Sequence, residues 1–151
     1  MVTVCFVPPD DCSALIIEMV SAARSRVRIA AYELTSAPIV AALVGAHDRG
    51  VDVQAVLDPA NLRPIGRRPG SAVALAAAGV PVRIDHPTGI AHNKFIEIDD
   101  DLVIGGSFND TAAAQTRNAE NMTLTRSAEV AAEYVADWNS RSGVSERVAP
   151  A

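Results

Sequence analysis

One stretch of the chain, from His92 to Asn109, combines polar side chains at fixed intervals with a clear strand pattern. Apolar and charged residues alternate between Lys94 and Ile98, and a period of two predicts a half-buried strand. His92 and Lys94 would then lie on the same side of that strand, so that an imidazole and an ammonium group point in one direction. The full pattern is H-x-K-x4-D-x6-G-S-x-N, formed by His92, Lys94, Asp99, Gly106, Ser107 and Asn109.

The second half of this stretch predicts a hairpin followed by a hinge. Three aspartates at 99–101 form a polar turn, and the apolar run 102–104 predicts a second, more deeply buried strand, antiparallel to the first. The two glycines that follow allow a sharp change of direction. Ser107 and Asn109 could then begin a helix whose free backbone N–H groups face an anion. This combination of a titratable nitrogen, a cation and neutral donors suits a phosphoryl group.

The chain before this stretch alternates between strand and helix patterns. Predicted strands at Val2–Val7, Val27–Tyr32 and Val51–Leu57 are separated by helices with apolar residues at helical spacing. This βαβαβ order predicts a three-layer α/β/α sandwich around a mixed, mainly parallel sheet. The other predicted elements are a helix at Ser71–Ala78, a strand at Val82–Ile84, a helix at Asn109–Gln115, a last strand at Met122–Thr125 and a helix at Ala128–Ser140.

The length of 151 residues predicts one domain, 1–151, which can bury most of its apolar surface unaided. No run approaches the roughly 20 apolar residues that a membrane-spanning helix needs, so we expect a soluble protein without stable membrane association. The first residues lack the basic and apolar regions of a signal peptide. We therefore expect a cytoplasmic location if the chain is complete, and a periplasmic or secreted one if a leader has been removed.

The cysteines are few. Cys5 and Cys12 are the only two, which is too few for a disulfide framework. We therefore expect two ordinary thiols.

The net charge of −5 does not favour nucleic acid as a partner, because nonspecific affinity for DNA comes largely from neutralising phosphates. A local positive site remains compatible with this charge. Twelve of the thirteen basic residues are arginine, and Lys94 is the only lysine. Its place inside the pattern suggests a position that arginine cannot fill.

Residues 58–70 lack periodicity and predict a long loop, of a length that is often functional. The loop carries the densest basic cluster in the chain, formed by Arg63, Arg67 and Arg68. These arginines are either a solvated surface or a set of contacts to the backbone of a polymeric substrate.

The H-x-K-x4-D-x6-G-S-x-N segment resembles the HKD signature of the phospholipase D superfamily. The chain as a whole is most similar to the small bacterial Nuc-type endonucleases, which carry one such motif per chain. The similarity extends from about Val2 to about Arg141 and implies the phospholipase D-like fold. It includes four further segments: Ala31–Thr35, Arg49–Val53, Asn118–Asn121 and the last helix around Trp138.

The resemblance implies hydrolysis of phosphodiesters through a covalent phosphohistidine. One histidine attacks phosphorus, while a second protonates the leaving oxygen and then activates water. This chain has one signature histidine, His92, and no room for a second motif. We therefore expect an isologous homodimer in which His92 of each subunit faces one shared phosphate.

The resemblance also implies supporting roles. Glu120 would accept the proton on the far nitrogen of His92 and hold its orientation, acting with Lys94 as part of the catalytic group. The phosphate ligands would be Lys94, Ser107 and Asn109, whereas Asp99 and Gly106 would have positioning roles. No cofactor or metal is expected, and a zinc site built from His86, His92, Asp85 and Asp99 lacks recognisable ligand spacing.

The leading prediction is a metal-independent endonuclease acting on DNA, with RNA as a further substrate. Little sequence preference is expected, because nothing resembles a base-reading helix. One alternative is a phospholipase D or phosphatidyltransferase, which would need an apolar or amphipathic surface for membranes. Another is a noncatalytic module that binds phosphate, although the complete signature argues against it.

Overall fold

The computed structural model describes residues 1–150, which form one eight-stranded sheet with helices on both faces. The strands are β1 Val2–Val7, β2 Arg26–Ala31, β3 Asp52–Leu57, β4 Val82–Ile84, β5 Lys94–Ile98, β6 Leu102–Gly106, β7 Glu120–Arg126 and β8 Glu146–Arg147. The helices are α1 Cys12–Ser21, α2 Ala37–Asp48, α3 Ser71–Ala77, α4 Ala112–Thr116 and α5 Ala128–Gly143, with a short 3-10 helix at Pro59–Leu62.

The strand order across the sheet is β1-β7-β6-β5-β2-β3-β4-β8. The predicted mixed sheet is confirmed, but the expectation that it is mainly parallel is wrong. Among the described residues only β2–β3 and β3–β4 pair in parallel, while the other five pairings are antiparallel. The βαβαβ run builds the parallel part. The predicted hairpin β5–β6 then extends the sheet on the other side of β2, and β7 and β1 continue it.

Two apolar clusters hold the layers together, one on each face of the sheet. On the first face, Ile16 of α1, Leu43 of α2 and Leu75 of α3 pack against inward-facing strand residues. On the second face, α5 packs Ala131 and Trp138 against the other side of the central strands. This arrangement confirms the predicted α/β/α sandwich.

Helix ends follow the predicted capping residues where local chemistry decides them. Asp11 caps α1 by accepting a hydrogen bond from the N–H of Ala14 at 2.9 Å. Ser36 caps α2 with a proline in its first turn, and Gly50 follows that helix with φ +92°. Both starts match the sequence prediction because each depends only on residues within one turn.

Two predictions near the C-terminal half need correction. The helix predicted from Asn109 begins at Ala112, because Thr111 is the N-cap and accepts a hydrogen bond from the N–H of Ala114 at 3.1 Å. The backbone of the preceding residue, Asp110, instead forms a β-bridge with Leu34. The strand predicted as the last one is followed by β8, a two-residue strand that pairs with β4. A strand of two residues is too short to show a periodic pattern in the sequence.

The expectation of two ordinary thiols is also wrong. Cys5 and Cys12 form a disulfide, with Cα atoms 6.0 Å apart, inside the usual range for such bonds. The turn between β1 and α1 brings them together, because Asp10 donates its N–H to the carbonyl of Phe6 and accepts the N–H of Phe6 through its carboxylate. Counting cysteines did not take this local turn into account.

Between Met1 and Pro150, no helix is both long and apolar enough to span a bilayer.

Candidate active site

The predicted site residues gather at one edge of the sheet. Lys94 begins β5 and pairs with Ala31 at the end of β2, while Gly106 ends β6 and pairs with Met122 near the start of β7. His92 lies two residues before Lys94, in the segment that leads into β5. The parallel strands β2, β3 and β4 also end at this edge, which is where α/β sheets usually bind ligands.

His92 is exposed and lies just outside β5, so its position depends on neighbouring segments. Its imidazole packs against the ring of Tyr32, with ring centroids 5.0 Å apart and planes tilted by 58°. The N–H of Tyr32 donates to the carbonyl of Asn93 at 2.9 Å. The chain that continues from β2 therefore supports the histidine on one side.

Lys94 is half-buried next to this histidine. Its ammonium group donates to the carbonyl oxygen of His92 at 2.8 Å and lies 5.9 Å from the centre of the Tyr32 ring. Partial burial lowers the pKa of Lys94, whereas the carboxylates of Glu120 and Glu33 act in the opposite direction. The ammonium group of the only lysine therefore lies beside His92 and near two carboxylates.

Glu120 is bound on both of its carboxylate oxygens. The hydroxyl of Ser107 donates to one oxygen at 2.6 Å, and the side-chain amide of Asn118 donates to the other at 2.9 Å. The N–H of Asn121 in turn donates to the Ser107 hydroxyl at 3.0 Å. Within residues 1–150 the expected hydrogen bond between Glu120 and His92 is not formed, so Glu120 orients Ser107 instead.

Gly106 allows the close approach of two strands at the site. Its φ is +149°, and a Cβ atom at this position would collide with the carbonyl oxygen of Asn121. The next residue, Ser107, can then donate its backbone N–H to that same carbonyl at 2.9 Å. A glycine is therefore required to bring Ser107 beside Glu120.

Asn109 is half-buried and follows two residues later. Its side-chain oxygen is buried without a hydrogen-bond partner among the described residues. Buried polar atoms usually have partners in folded proteins. The fold therefore does not use this oxygen, and only the amide nitrogen of Asn109 could donate to a phosphate.

Asp99 lies at the opposite edge of the sheet, in the turn between β5 and β6. Its carboxylate accepts the N–H groups of Arg24, Ser25 and Arg26 at 2.9, 2.8 and 3.0 Å. Burial acts to raise the pKa of Asp99, but these donors outweigh it and the pKa is lowered. Asp99 thus anchors the hairpin to the start of β2, far from the imidazole.

The arginine loop leaves β3 at the site edge. Arg63, Arg67 and Arg68 are all exposed, and none of them forms a salt bridge within residues 1–150. The start of the loop is anchored beside the site, because the Asn61 side chain donates to the carbonyl of Tyr32 at 2.7 Å. The loop thus begins beside the site, whereas Arg68 lines a groove against α2 with Val44 and Asp48.

The side chains considered as a zinc site do not converge. Asp99 is at the far edge, and Asp85 is held by Arg141, whose guanidinium donates to both carboxylate oxygens at 2.7 and 2.6 Å. The Nε2 atom of His86 lies 3.6 Å from the Oε2 atom of Glu146 instead. The poor ligand spacing seen in the sequence thus corresponds to separate surroundings in the fold.

Four polar residues near the site were not identified from the sequence. Glu33 and Asp110 are joined through their backbones, since the N–H of Asp110 donates to the carbonyl of Glu33 at 3.1 Å. Burial raises the pKa of the Asp110 carboxyl to about 7. Asp58 and Asn61 lie behind the site. Their contacts depend on chain crossings, for which the local sequence holds no signal.

Comparison with known proteins gives consistent results. The family model described as "Cardiolipin synthase, PLD-like domain" matches residues 16–141. A protein of Rickettsia bellii named phospholipase D is 43% identical over 93% of this chain and 68% of its own length. A Xenopus laevis protein named mitochondrial cardiolipin hydrolase is 32% identical over 80% of this chain and 57% of its own length.

A solved structure gives the same result. The crystal structure of Nuc from Salmonella typhimurium, described as a phospholipase D family member, matches with a TM-score of 0.88. It is 33% identical in sequence, and the match covers 99% of this chain and 98% of Nuc. The predicted superfamily and fold are therefore confirmed. The chain belongs to the phospholipase D-like family of phosphodiester hydrolases.

Proposed function

We propose that this protein is a metal-independent endonuclease that cleaves DNA, and RNA as a further substrate, through a covalent phosphohistidine on His92. The observation that carries the proposal is the position of His92 beside Lys94 at the end of the sheet where the loop with three exposed arginines begins. Both a nucleic acid and a phospholipid would present a phosphate to His92. The exposed arginines favour a polyanion, because each can contact a neighbouring phosphate of the same strand.

The reaction proceeds in two steps. An imidazole nitrogen of His92 attacks phosphorus, and the bond from phosphorus to the leaving oxygen breaks as the second imidazole donates a proton to that oxygen. The second imidazole then takes a proton from water, which attacks phosphorus and breaks the phosphorus–nitrogen bond. Lys94, Ser107 and Asn109 stabilise the charge on the phosphate oxygens during both steps.

The second imidazole comes from a second copy of the chain. β1 is an edge strand, and its alternate residues Val2, Val4 and Phe6 are exposed on the face opposite the disulfide. We name these three residues the β1 face. Such a row of large apolar side chains on an edge strand needs a cover. A second copy that covers it lies next to the site, because Val7 and Phe6 pair with Glu120 and Asn121.

An open groove supports this choice of surface. It has a volume of about 500 Å³, and its lining includes Val4 and Phe6 of β1 and Glu120 and Asn121 of β7. The apolar β1 face thus continues into the site. An isologous interface formed at this surface brings two copies of the site close to one axis.

Phospholipid hydrolysis is a second candidate. It is favoured by relatives that are named phospholipase D and mitochondrial cardiolipin hydrolase. The β1 face would be available to a lipid surface if no second subunit covered it. We still rank nucleic acid first, because three exposed arginines can contact successive phosphates of one strand, whereas a phospholipid offers only its headgroup phosphates.

The disulfide supports a proposal for the compartment. Such bonds persist in oxidising surroundings and are rare in the cytosol. Because Cys5 and Cys12 are joined, we propose that the domain acts in the periplasm or outside the cell.

One assay tests the proposed function. Purified protein is incubated with plasmid DNA, single-stranded DNA, RNA and phosphatidylcholine vesicles, each in excess EDTA. We expect nicking of the plasmid and cleavage of the other nucleic acids, and we expect His92→Ala to abolish both without changing the circular dichroism spectrum. Strict dependence on added metal would contradict the mechanism. Cleavage confined to the vesicles would establish the second candidate instead.

A further inference from the structure

Two buried polar residues lie behind the site. Asp58 follows β3 and is 5% exposed, while Asn61 is in the 3-10 helix and is 3% exposed. Neither belongs to the six-residue pattern. We propose that Asp58 and Asn61 are positioning residues that aim the imidazole of His92 at phosphorus. This inference rests on the proposed role of His92 as the nucleophile.

The carboxylate of Asp58 fixes the backbone just before the histidine. Its Oδ1 accepts the N–H of Ala91 at 2.9 Å, and Ala91 is buried and directly precedes His92. Its Oδ2 accepts the N–H of Ala60 at 2.8 Å. Regular pairing of β5 starts only at Lys94. The hydrogen bond to Ala91 therefore restrains a segment that the sheet itself does not restrain.

The Asn61 side chain uses all of its hydrogen-bonding capacity. It donates to the carbonyls of Tyr32 at 2.7 Å and of Asp58 at 3.1 Å. Its oxygen accepts the N–H of Leu34 at 2.8 Å and the hydroxyl of Ser71 at 3.3 Å. An amide has two donors and two acceptor sites, so none is left unused. Asn61 therefore holds the chain that continues from β2.

These two sets of contacts meet at His92 from opposite sides. Asp58 holds residue 91, which precedes the histidine, and the Tyr32 backbone holds Asn93, which follows it. The Tyr32 ring also packs against the imidazole. A nucleophile displaced by about 1 Å from the attacking geometry can lose about 100-fold in rate. Buried contacts that fix both flanking residues are suited to prevent such a displacement.

Asp85 provides a matched control. It is 2% exposed, follows the neighbouring strand β4 and binds Arg141 of α5 rather than any segment of the site. Asp85→Asn therefore removes a carboxylate that is buried to a similar extent as that of Asp58. It should lower stability without moving residues 91–93.

The experiment combines histidine NMR with kinetics. The chain has three histidines, at positions 47, 86 and 92, so that their ring signals can be assigned by single substitutions. We expect Asp58→Ala to change the ring chemical shifts of His92, which packs against the Tyr32 ring, and to leave those of His47 unchanged. On a dinucleotide substrate its kcat should fall about 10- to 100-fold, with KM within about 2-fold.

Two milder variants keep the test informative if Asp58→Ala fails to fold. Asp58→Asn retains one acceptor oxygen and should give an intermediate kcat. Asn61→Asp has the same shape but cannot donate to Tyr32 or Asp58, so it should also change the His92 ring chemical shifts. Asp85→Asn should leave both the His92 ring chemical shifts and kcat unchanged.

Two results would overturn the positioning role. One is unchanged His92 ring chemical shifts and kcat in folded Asp58 and Asn61 variants. The other is an equal loss in Asp85→Asn, which would indicate general destabilisation. If the wild-type protein proves inactive on phosphodiesters while Asp58→Ala still changes the His92 ring chemical shifts, the proposed function fails but the positioning contacts stand.

Discussion

Asp110 should make stability depend on pH. Burial raises its pKa from 3.8 to about 7 in the folded protein, so the folded state binds this proton more tightly than the unfolded state. The stability gained from this proton is complete below about pH 4 and is lost as pH rises through about 7. At pH 8 we expect Asp110→Asn to raise the melting temperature and to increase the unfolding free energy by up to roughly 4 kcal/mol, and at pH 4 to change both little. Thermal denaturation at both pH values measures this, and equal effects at both would contradict it.

His92 and Asp110 illustrate how differently single residues can be predicted. The pattern that includes His92, Lys94 and Ser107 could be recognised because its members lie within one short stretch. Their gathering at one sheet edge followed from the predicted hairpin. Asp110 carries no such signal, although it directly follows the pattern. Its burial results from a β-bridge to Leu34, which no local sequence rule predicts.

At the level of secondary structure, prediction succeeded where the pattern was local and periodic. Caps, the helix stripes and the β5–β6 hairpin all follow from neighbours within a few residues. Prediction failed for β8, which consists of two residues and forms only by pairing with β4. The share of parallel pairing was overestimated, because the later strands continue the sheet as antiparallel neighbours.

The disulfide between β1 and α1 leads to a prediction at this level. It closes a short loop, from Cys5 to Cys12, and loops of this length gain about 2 kcal/mol from a cross-link. We expect the native protein to resist alkylation by iodoacetamide until it is reduced, and we expect Cys5→Ser with Cys12→Ser to unfold at lower temperature. Mass spectrometry and calorimetry measure these effects. Rapid alkylation of both cysteines in unreduced, folded protein would refute the bond.

At the level of the whole molecule, the net charge of −5 is compatible with a phosphate site because positive charge is placed locally. The arginine loop leaves the sheet at the same edge as His92. The apolar β1 face lies beside that edge, next to Glu120. The single motif predicts a dimer, but it gives no indication of the surface that we propose for it. The exposed residues of β1 can be identified only from the positions of the helices, because these show which face of the strand is left uncovered.

The β1 face should control assembly. Phe6 is 51% exposed, and Phe6→Asp would place a charge in the proposed interface. We expect this variant to be a folded monomer by light scattering and to lose nuclease activity. Val144→Asp is the matched control, because Val144 is also an exposed apolar residue but lies after α5. A dimeric or fully active Phe6→Asp protein would exclude this surface.

The most direct test of the shared site is the activity of a mixed dimer. Wild-type and His92→Asn chains with different tags are co-expressed, and the heterodimer is isolated by two affinity steps. If both imidazoles flank one phosphate, the heterodimer should have only background activity, because either the nucleophile or the proton donor is missing. If each subunit works alone, the heterodimer should retain about half of the wild-type activity, and a site shared between two subunits would be contradicted.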